Sequence, residues 1–174
     1  SPGNATDFGD ATFTGYATGA LASPTRGVIG GGSGTNDGDR KNIIQYITIA
    51  STGNATDFGD YSIDVQYLGG FSSSTRSVSF GGWVGSAFKY TNTMLYTTFG
   101  TTGSFSDFGD MTPSIGRMSV SGLSSATRGV SCMGATGESS DDGFVKTNIV
   151  DEDLAISNYD RIKFDEGLER PFKV

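Results

Sequence analysis

The residues best suited to chemistry belong to an acidic motif that recurs three times at a spacing of 50 residues. The copies are Thr6–Asp10, Thr56–Asp60 and Ser106–Asp110. An Asp-Phe-Gly core binds metal in protein kinases when a glycine-rich loop, a strand lysine and a catalytic aspartate accompany it. None of these partners is present, and a motif repeated in every unit is not an active site. We therefore predict a structural role, in which Phe8, Phe58 and Phe108 pack between sheets and the adjacent glycines form turns.

Three arginines recur with the acidic motif and carry the second candidate chemistry. They are Arg26, Arg76 and Arg128, each the last residue of a Ser-x-Thr-Arg motif, and they accompany Asp10, Asp60 and Asp110. A guanidinium at a fixed point of a β unit usually bonds carboxylates or backbone carbonyls with its planar fork. We predict that the arginines are partly buried locks between repeat units, with an aspartate as partner. The competing interpretation is a ring of arginines that binds an anionic glycan.

The remaining reactive residues do not form a catalytic set. The sequence has no histidine, which excludes Ser-His-Asp and Cys-His arrangements and leaves only oxygen ligation for a metal. Composition does not exclude a glycosidase with paired carboxylates, but the repeated acids recur as structural positions do. We predict no enzymatic activity, no metal and no cofactor.

Four aspartates and the single cysteine are the other residues that could form a binding or reactive site. Asp37, Asp39, Asp141 and Asp142 occur near glycines in presumed turns, where calcium would find oxygen ligands. The full spacing of a calcium loop is missing, so we interpret them as solvated turn residues. Cys132, the single cysteine, lies in an apolar run, and we expect it to be a small buried hydrophobe.

Composition limits the protein class. A chain of 174 residues is long enough for one domain with a sizeable core. The 27 glycines are accompanied by 12 Phe and 7 Tyr, which indicates turns and close packing rather than disorder. The net charge of -7 argues against nucleic-acid binding. No apolar run is long enough to span a bilayer, so we expect no membrane insertion.

The spacing of the motifs divides the chain into repeat units at residues 1–50, 51–100 and 101–150. Each unit contains short runs of β-branched and aromatic residues between Gly, Ser, Asn and Asp, which predicts four strands and tight turns. Residues 43–49 are apolar on both faces of a period-two pattern, as in a strand buried between layers. Residues 36–39 predict a hairpin turn. No segment before residue 150 predicts a helix.

Residues 151–174 differ from the repeats, with eleven charges in 24 residues. They also contain large apolar residues, so we predict an extended acidic arm that docks on a partner subunit. The alternative is a frayed acidic terminus. Because the chain begins inside a repeat and without Met, we expect it to be a processed or excised piece of a longer protein.

A unit of about 50 residues with four strands and a glycine pair resembles the blade of a kelch-type propeller. The residues that carry this resemblance are Val28–Gly32 and Val78–Gly82. The spaced Tyr and Trp of most kelch blades are missing apart from Trp83, so the resemblance is to a kelch-like variant. Closed propellers have about four to eight blades. The resemblance therefore implies that other blades or subunits complete the ring.

The sequence of residues 46–60, followed by Ser72–Arg76, is similar to repeats in virion structural and tail-fibre proteins of marine tailed phages, especially cyanophages. This resemblance covers residues 1 to about 134. It implies a non-catalytic virion protein on the outside of the particle, in a tail fibre, adhesion or decoration role. Its expected partners are further copies of itself, other virion proteins and a host surface.

The alternative function is a carbohydrate-binding, lectin-like propeller. Its stacking platform would be Trp83, Phe88 and Tyr90, in the loop of the second unit that the other units do not repeat. The competing interpretation of these rings is ordinary packing within a blade.

Overall fold

A computed structural model describes residues 3–36, 39–85, 89–111, 116–132, 134–135, 148–151 and 159–161. These residues form twelve β-strands. The strands are β1 (Gly19–Ala22), β2 (Arg26–Gly30), β3 (Ile43–Thr48), β4 (Thr56–Asp60), β5 (Gly69–Ser72), β6 (Arg76–Phe80), β7 (Thr93–Thr98), β8 (Ser106–Asp110), β9 (Ser121–Ser124), β10 (Arg128–Cys132), β11 (Asn148–Asp151) and β12 (Tyr159–Arg161). No helix occurs within the described ranges, and the all-β prediction is confirmed.

The strands form three four-stranded sheets, each from four strands that follow one another along the chain. The first sheet has the order β1-β2-β3-β4, the second β5-β6-β7-β8 and the third β9-β10-β11-β12. Neighbouring strands are antiparallel throughout, as tight connections between consecutive strands require. All three sheets are open, because the described residues form no closed sheet.

The sheets do not coincide with the predicted repeat units. The acidic motif of each following unit supplies the fourth strand of the sheet before it, as β4 and β8. The first copy, Thr6–Asp10, belongs to no strand. Part of the predicted arm also lies in a sheet, since β12 pairs with β11. Residues 152–158 and 162–174 of that predicted arm lie outside the described residues.

The apolar core lies between successive sheets rather than within one of them. One cluster joins the first and second sheets, and it contains Leu21, Val28, Ile44, Phe58, Tyr61, Val65, Leu95, Phe99 and Phe105. The other joins the second and third sheets, and it contains Phe71, Val78, Phe80, Met94, Phe108, Met111 and Val120. We call each contact region between two successive sheets a junction.

The phenylalanine and the glycine of the acidic motif both make contacts at these junctions. Phe58 and Phe108 are buried, as expected, and each meets a tyrosine edge to face. The expectation of burial is wrong for Phe8, which is 36% exposed, because its copy of the motif has no neighbouring strand that would bring such a tyrosine. The prediction of a glycine turn is also wrong for Gly59, which lies inside β4.

Gly59 instead allows two backbone segments to approach closely. Its φ is 145°, and a Cβ there would lie 2.5 Å from the carbonyl carbon of Gly103. The neighbouring Phe58 carbonyl accepts a hydrogen bond from the Gly103 amide. Gly9 repeats this geometry, with a φ of 146° and the Phe8 carbonyl accepting from the Gly53 amide.

The first strands of the three sheets also approach one another closely, since β1 contacts β5 and β5 contacts β9. Small residues make this approach possible. A Cβ on Gly122 of β9 would overlap the carbonyl oxygen of Gly70 in β5, and one on Gly70 would lie 2.6 Å from the Leu21 side chain. Both distances are shorter than non-bonded carbon contacts allow.

We expect Gly122→Ala to destabilise the protein by about 2 kcal/mol or more, because overpacking forces backbone shifts at the junction. Gly100→Ala is the matched control, since no atom lies within 4 Å of a Cβ built there. Chemical denaturation with both variants measures the effect. Equal stability of the two variants would contradict the proposed close approach.

Tyr61 is the buried titratable group of the first junction. Its hydroxyl lies 2.9 Å from the Ser79 hydroxyl, and its ring meets Phe105 edge to face at 4.8 Å. Burial raises the pKa of Tyr61 to about 12, and the hydrogen bond with Ser79 opposes the shift. The neutral phenol is therefore favoured in the folded protein.

This pKa predicts a loss of stability in alkali. A folded-state pKa above the ordinary value of 10.0 means that the unfolded chain releases the proton first. The stabilisation that protonated Tyr61 gives the folded state is complete below pH 10. As pH rises towards 12 this stabilisation is lost, and the total loss is about 2–3 kcal/mol. Unfolding free energies measured from pH 8 to 11.5 should show a smaller alkaline loss for Tyr61→Phe than for wild type.

Candidate functional site

The repeated arginine of the first sheet reaches the second sheet. Arg26, at the start of β2, donates a hydrogen bond from Nη1 to the backbone carbonyl of Phe99. Its guanidinium also lies 4.4 Å from the centre of the Tyr46 ring, within the range of a cation–π contact. Arg26 thus connects two sheets through a carbonyl, one of the two acceptor types expected from the sequence.

The other arginines differ in their surroundings. Arg76 is half-buried and its guanidinium lies 5.4 Å from the centre of the Tyr96 ring. Arg128 is exposed. Asp10, Asp60 and Asp110 are exposed as well, and none of them forms an ion pair with these arginines in the described part of the chain. Among the described residues the repeated aspartates and arginines are therefore not paired, because the carboxylates lie in solvent and Arg26 bonds a carbonyl.

The serine of the Ser-x-Thr-Arg motif has a role that the sequence analysis missed. The Ser73 hydroxyl accepts hydrogen bonds from the amides of Thr75 and Arg76, at 3.3 and 3.1 Å. Ser23 and Ser125 make the same pair of bonds. This is the local side-chain to backbone bonding by which serine stabilises turns. The signal was available, because the serine stands three residues before the arginine in every copy.

A cleft lies beside Arg26 at the first junction. Its volume is about 370 Å³. It is lined by Ser23, Thr25, Arg26, Ser74, Thr75, Thr98, Phe99 and Gly100. Five of these eight residues carry a hydroxyl group, but the exposed lining is more apolar than polar, and the cation already bonds the Phe99 carbonyl. The cleft thus offers hydrogen-bond donors and acceptors but little free positive charge.

A second cleft of about 430 Å³ lies at the opposite end of the sheets. It is lined by Arg40, Asn42, Ser62, Ile63, Asp64, Val84 and Lys89. Two cations, one carboxylate and two neutral polar groups in one cleft would suit a ligand with several hydroxyl or anionic groups. Trp83 and Tyr90, the two predicted aromatic residues that the structure describes, do not line this cleft.

The predicted stacking platform is only partly brought together. Trp83 and Tyr90 are neighbours in a β-bridge and both are half-buried, whereas Phe88 lies outside the described residues. The Trp83 ring stacks on Tyr67 at 6.5 Å, and the Arg40 guanidinium lies 5.7 Å from its centre. Trp83 therefore packs across the first junction, because Arg40 comes from the first repeat unit.

Several polar atoms near Trp83 are buried without a hydrogen-bond partner from the protein. They are the Trp83 Nε1, the Arg40 Nε and both amide atoms of Gln66. Gln66 is fully buried, and its backbone pairs with that of Trp83 in both directions. Buried polar groups are nearly always bonded, often to ordered water.

The remaining candidates do not extend these clefts. Asp39 pairs with Lys41 at 2.8 Å, and Asp37, Asp141 and Asp142 lie outside the described residues. Among the residues that could be searched, no group of three acidic or cysteine ligands could hold a metal. Cys132 is a free thiol and is half-buried rather than buried, since none of the described sheets packs against its face of the third sheet.

Comparison with known proteins does not assign the chain to a family. No protein-family model matches the chain, and no curated protein matches it. Within the described ranges there is also no helix of the length and apolarity that would cross a membrane.

We expect Arg26→Ala to lower the free energy of unfolding by about 1.5–3 kcal/mol, the usual range for a hydrogen bond to a charged group. Arg26→Lys should recover only part of this, because an ammonium lacks the planar face that stacks on Tyr46. Lys89→Ala, at an exposed cation of the other cleft, is the control. Thermal or denaturant unfolding measures the effect, and wild-type stability of Arg26→Ala would exclude the lock.

Proposed function

We propose that this chain is a non-catalytic phage virion protein, a tail-fibre or surface adhesion and decoration component built from kelch-like propeller blades. The observation that carries the proposal is the repeated junction, in which each four-stranded sheet packs on the next through its first strand. Such stacking is how propeller blades are arranged. A rigid repeat stack suits a particle component, which must hold its shape while its loops contact other surfaces.

The glycine pair that suggested kelch blades has a role consistent with them. Gly31 and Gly32 have φ values of 64° and 100°, and Gly81 and Gly82 have φ values of 66° and 113°. These left-handed conformations favour glycine. They turn the end of β2 and β6 towards the next sheet, where the Gly32 amide donates to the Val65 carbonyl at 2.8 Å. The proposed ring is completed by other blades or subunits.

The proposal assigns no catalytic role to the repeated acids. Asp10, Asp60 and Asp110 lie exposed at the end of each acidic motif, where they favour solubility and oppose binding to nucleic acid. The proposed location is the outside of the virion, and the proposed partners are virion proteins and a host surface.

A carbohydrate-binding function is the second candidate, and one observation favours it. The cleft lined by Arg40, Asn42, Asp64 and Lys89 presents charged and neutral polar groups together at a junction. Sugars are bound through such hydrogen-bonding groups, usually with an aromatic ring beside them. Trp83 is near this cleft through Arg40 but does not line it. A glycan bound here would be a host-surface ligand of the same virion component.

The test of the virion proposal is to label purified marine tailed phage particles with antibodies raised against the full chain. We expect the antibodies to decorate the particle exterior or its fibres in electron micrographs. Particles labelled after preincubation of the antibodies with the purified chain are the control and should remain undecorated. Detection of the chain in infected cells but never in purified particles would overturn the proposal.

A glycan array with the full chain separates the two candidates. A structural or protein-binding component gives no glycan signal. A signal that disappears in a Lys89→Ala, Asp64→Asn double variant of unchanged melting temperature would favour the lectin function instead.

A further inference from the structure

Large apolar side chains are exposed at positions where the internal copies of the repeat are buried. Ile49 is 42% exposed, whereas Phe99, its counterpart 50 residues later, is 4% exposed in the first junction. Ile49 lies on the outer face of the first sheet, the face turned away from the second sheet. We call this surface, with Ala20, Ile29 and Ile47, the head face.

The third sheet shows the complementary exposure on its outer face. Leu123 is 65% exposed, whereas its counterpart Phe71 in the second sheet is 3% exposed. The β10 strand alternates in the same way. Gly129 and Ser131 are buried against the second sheet, while Arg128 is exposed and Val130 half-buried. We call this outer surface, with Leu123, Arg128, Val130 and Cys132, the tail face.

The two junctions inside the chain share a set of hydrogen bonds. The Tyr67 amide donates to the Ala17 carbonyl at 2.9 Å, and the Ser119 amide donates to the Tyr67 carbonyl at 2.8 Å. The central residues of this series, Ala17, Tyr67 and Ser119, all have φ between 54° and 59°. The same non-glycine strain at three equivalent positions indicates one junction geometry used twice.

A side-chain bond repeats with the same spacing. The Ser72 hydroxyl donates to the Ala22 carbonyl at 2.8 Å, and the Ser124 hydroxyl donates to the Ser72 carbonyl at 2.7 Å. In both series the residue of the later sheet donates to the earlier sheet, whereas Arg26 of the first sheet donates to the second. The two sides of a junction therefore carry different bonding groups. The tail face carries the Ser124 and Ser119 carbonyls, which are the counterparts of the acceptors Ser72 and Tyr67. The head face carries the Ala17 amide, which is the counterpart of the Tyr67 donor.

We propose that the tail face of one copy of this chain docks on the head face of a second copy and forms a third junction of the same kind. In that junction Leu123 of one copy takes the place of Phe71, and Ile49 of the other takes the place of Phe99. Arg128 would then donate to the Ile49 carbonyl, as Arg26 donates to the Phe99 carbonyl. Continuity with the internal junctions identifies a second copy as the occupant, because the two faces carry the counterparts of residues that meet in those junctions.

The head face departs from the internal pattern in two respects. Residues 8–10 of the same chain already make there the contacts that β4 makes in the first junction, since the Gly53 amide donates to the Phe8 carbonyl and the Ala55 amide to the Asp10 carbonyl. The tail face therefore meets the head face through β9 and β10. Ala22 stands where the other sheets have Ser72 and Ser124, so the new junction lacks one hydroxyl donor. It is therefore expected to be weaker than the internal junctions, and assembly should depend on protein concentration.

Because head and tail are different surfaces, the contact is heterologous and closes into a ring if its rotation permits. Two copies would give a six-sheet ring, within the range of about four to eight blades seen in propellers. This inference rests on the blade arrangement in the proposed function but not on the assignment to a virion. Antibody labelling of particles tests the virion assignment, and the native mass of the purified chain tests the docking of two copies. Either proposal can therefore be refuted without the other.

The first test is the native mass of the full chain over a range of concentrations. We expect multimers for wild type and for the control Thr102→Asp, an exposed residue of the second sheet's β7–β8 turn. Leu123→Asp and Ile49→Asp should each give monomers with an unchanged circular dichroism spectrum, because both side chains are already exposed in a single copy. Wild-type protein that remains monomeric at its solubility limit would overturn the inference.

The second test is disulfide trapping, which reports the direction of docking. Ala22→Cys and Ser124→Cys are made separately, each with Cys132→Ser to remove the native thiol. When the two variants are mixed and oxidised, we expect cross-linked pairs that contain one copy of each. Cross-links that form as readily within either variant alone indicate head-to-head or tail-to-tail contact and would refute the proposed junction.

Discussion

The structure depends on the close approach of the first strands of successive sheets. A four-stranded sheet of this size has two faces and cannot bury apolar surface by itself. Here the faces that successive sheets turn towards each other bury one another, so the two hydrophobic clusters lie at the junctions. The approach requires that Gly70 and Gly122 carry no side chain. Glycine is therefore abundant because backbones touch, although each glycine costs conformational entropy on folding.

The same constraint explains why whole motifs recur. Every group that forms a junction must reappear at the spacing of one sheet, or the next junction would lose a partner. The acidic motif provides an outer strand and a close backbone contact, while the Ser-x-Thr-Arg motif provides a stable turn and an arginine directed at the next sheet. From Arg76 to Arg128 the spacing becomes 52 residues. The bonds are kept despite this, since Gly82 still donates to the Arg117 carbonyl as Gly32 does to Val65.

Sequence reasoning predicted what depends on local pattern and missed what depends on the neighbouring sheet. The strands, the burial of Phe58 and Phe108 and the existence of a repeat follow from residue type and spacing. The sheet boundaries do not follow from the sequence, because a period of 50 residues is the same wherever counting begins. Only strand pairing shows that β4 is the fourth strand of the first sheet. Likewise, the sequence indicated that Arg26 needed an acceptor but not which one. The exposure of Phe8 depends on the absence of an adjacent strand, which its own sequence does not encode.

A stack built from one repeated junction has a direction, and this direction has consequences at its ends. The two sides of each junction carry different bonding groups, so the first and third sheets expose different halves of the same contact. Ile49 and Leu123 stand at positions where the internal copies of the repeat are buried, yet both are exposed. Apolar surface of this kind favours association. Ala22 stands where the other sheets have a serine, which weakens the match at that position. The repeat that stabilises the fold therefore also prepares its two ends to bind each other.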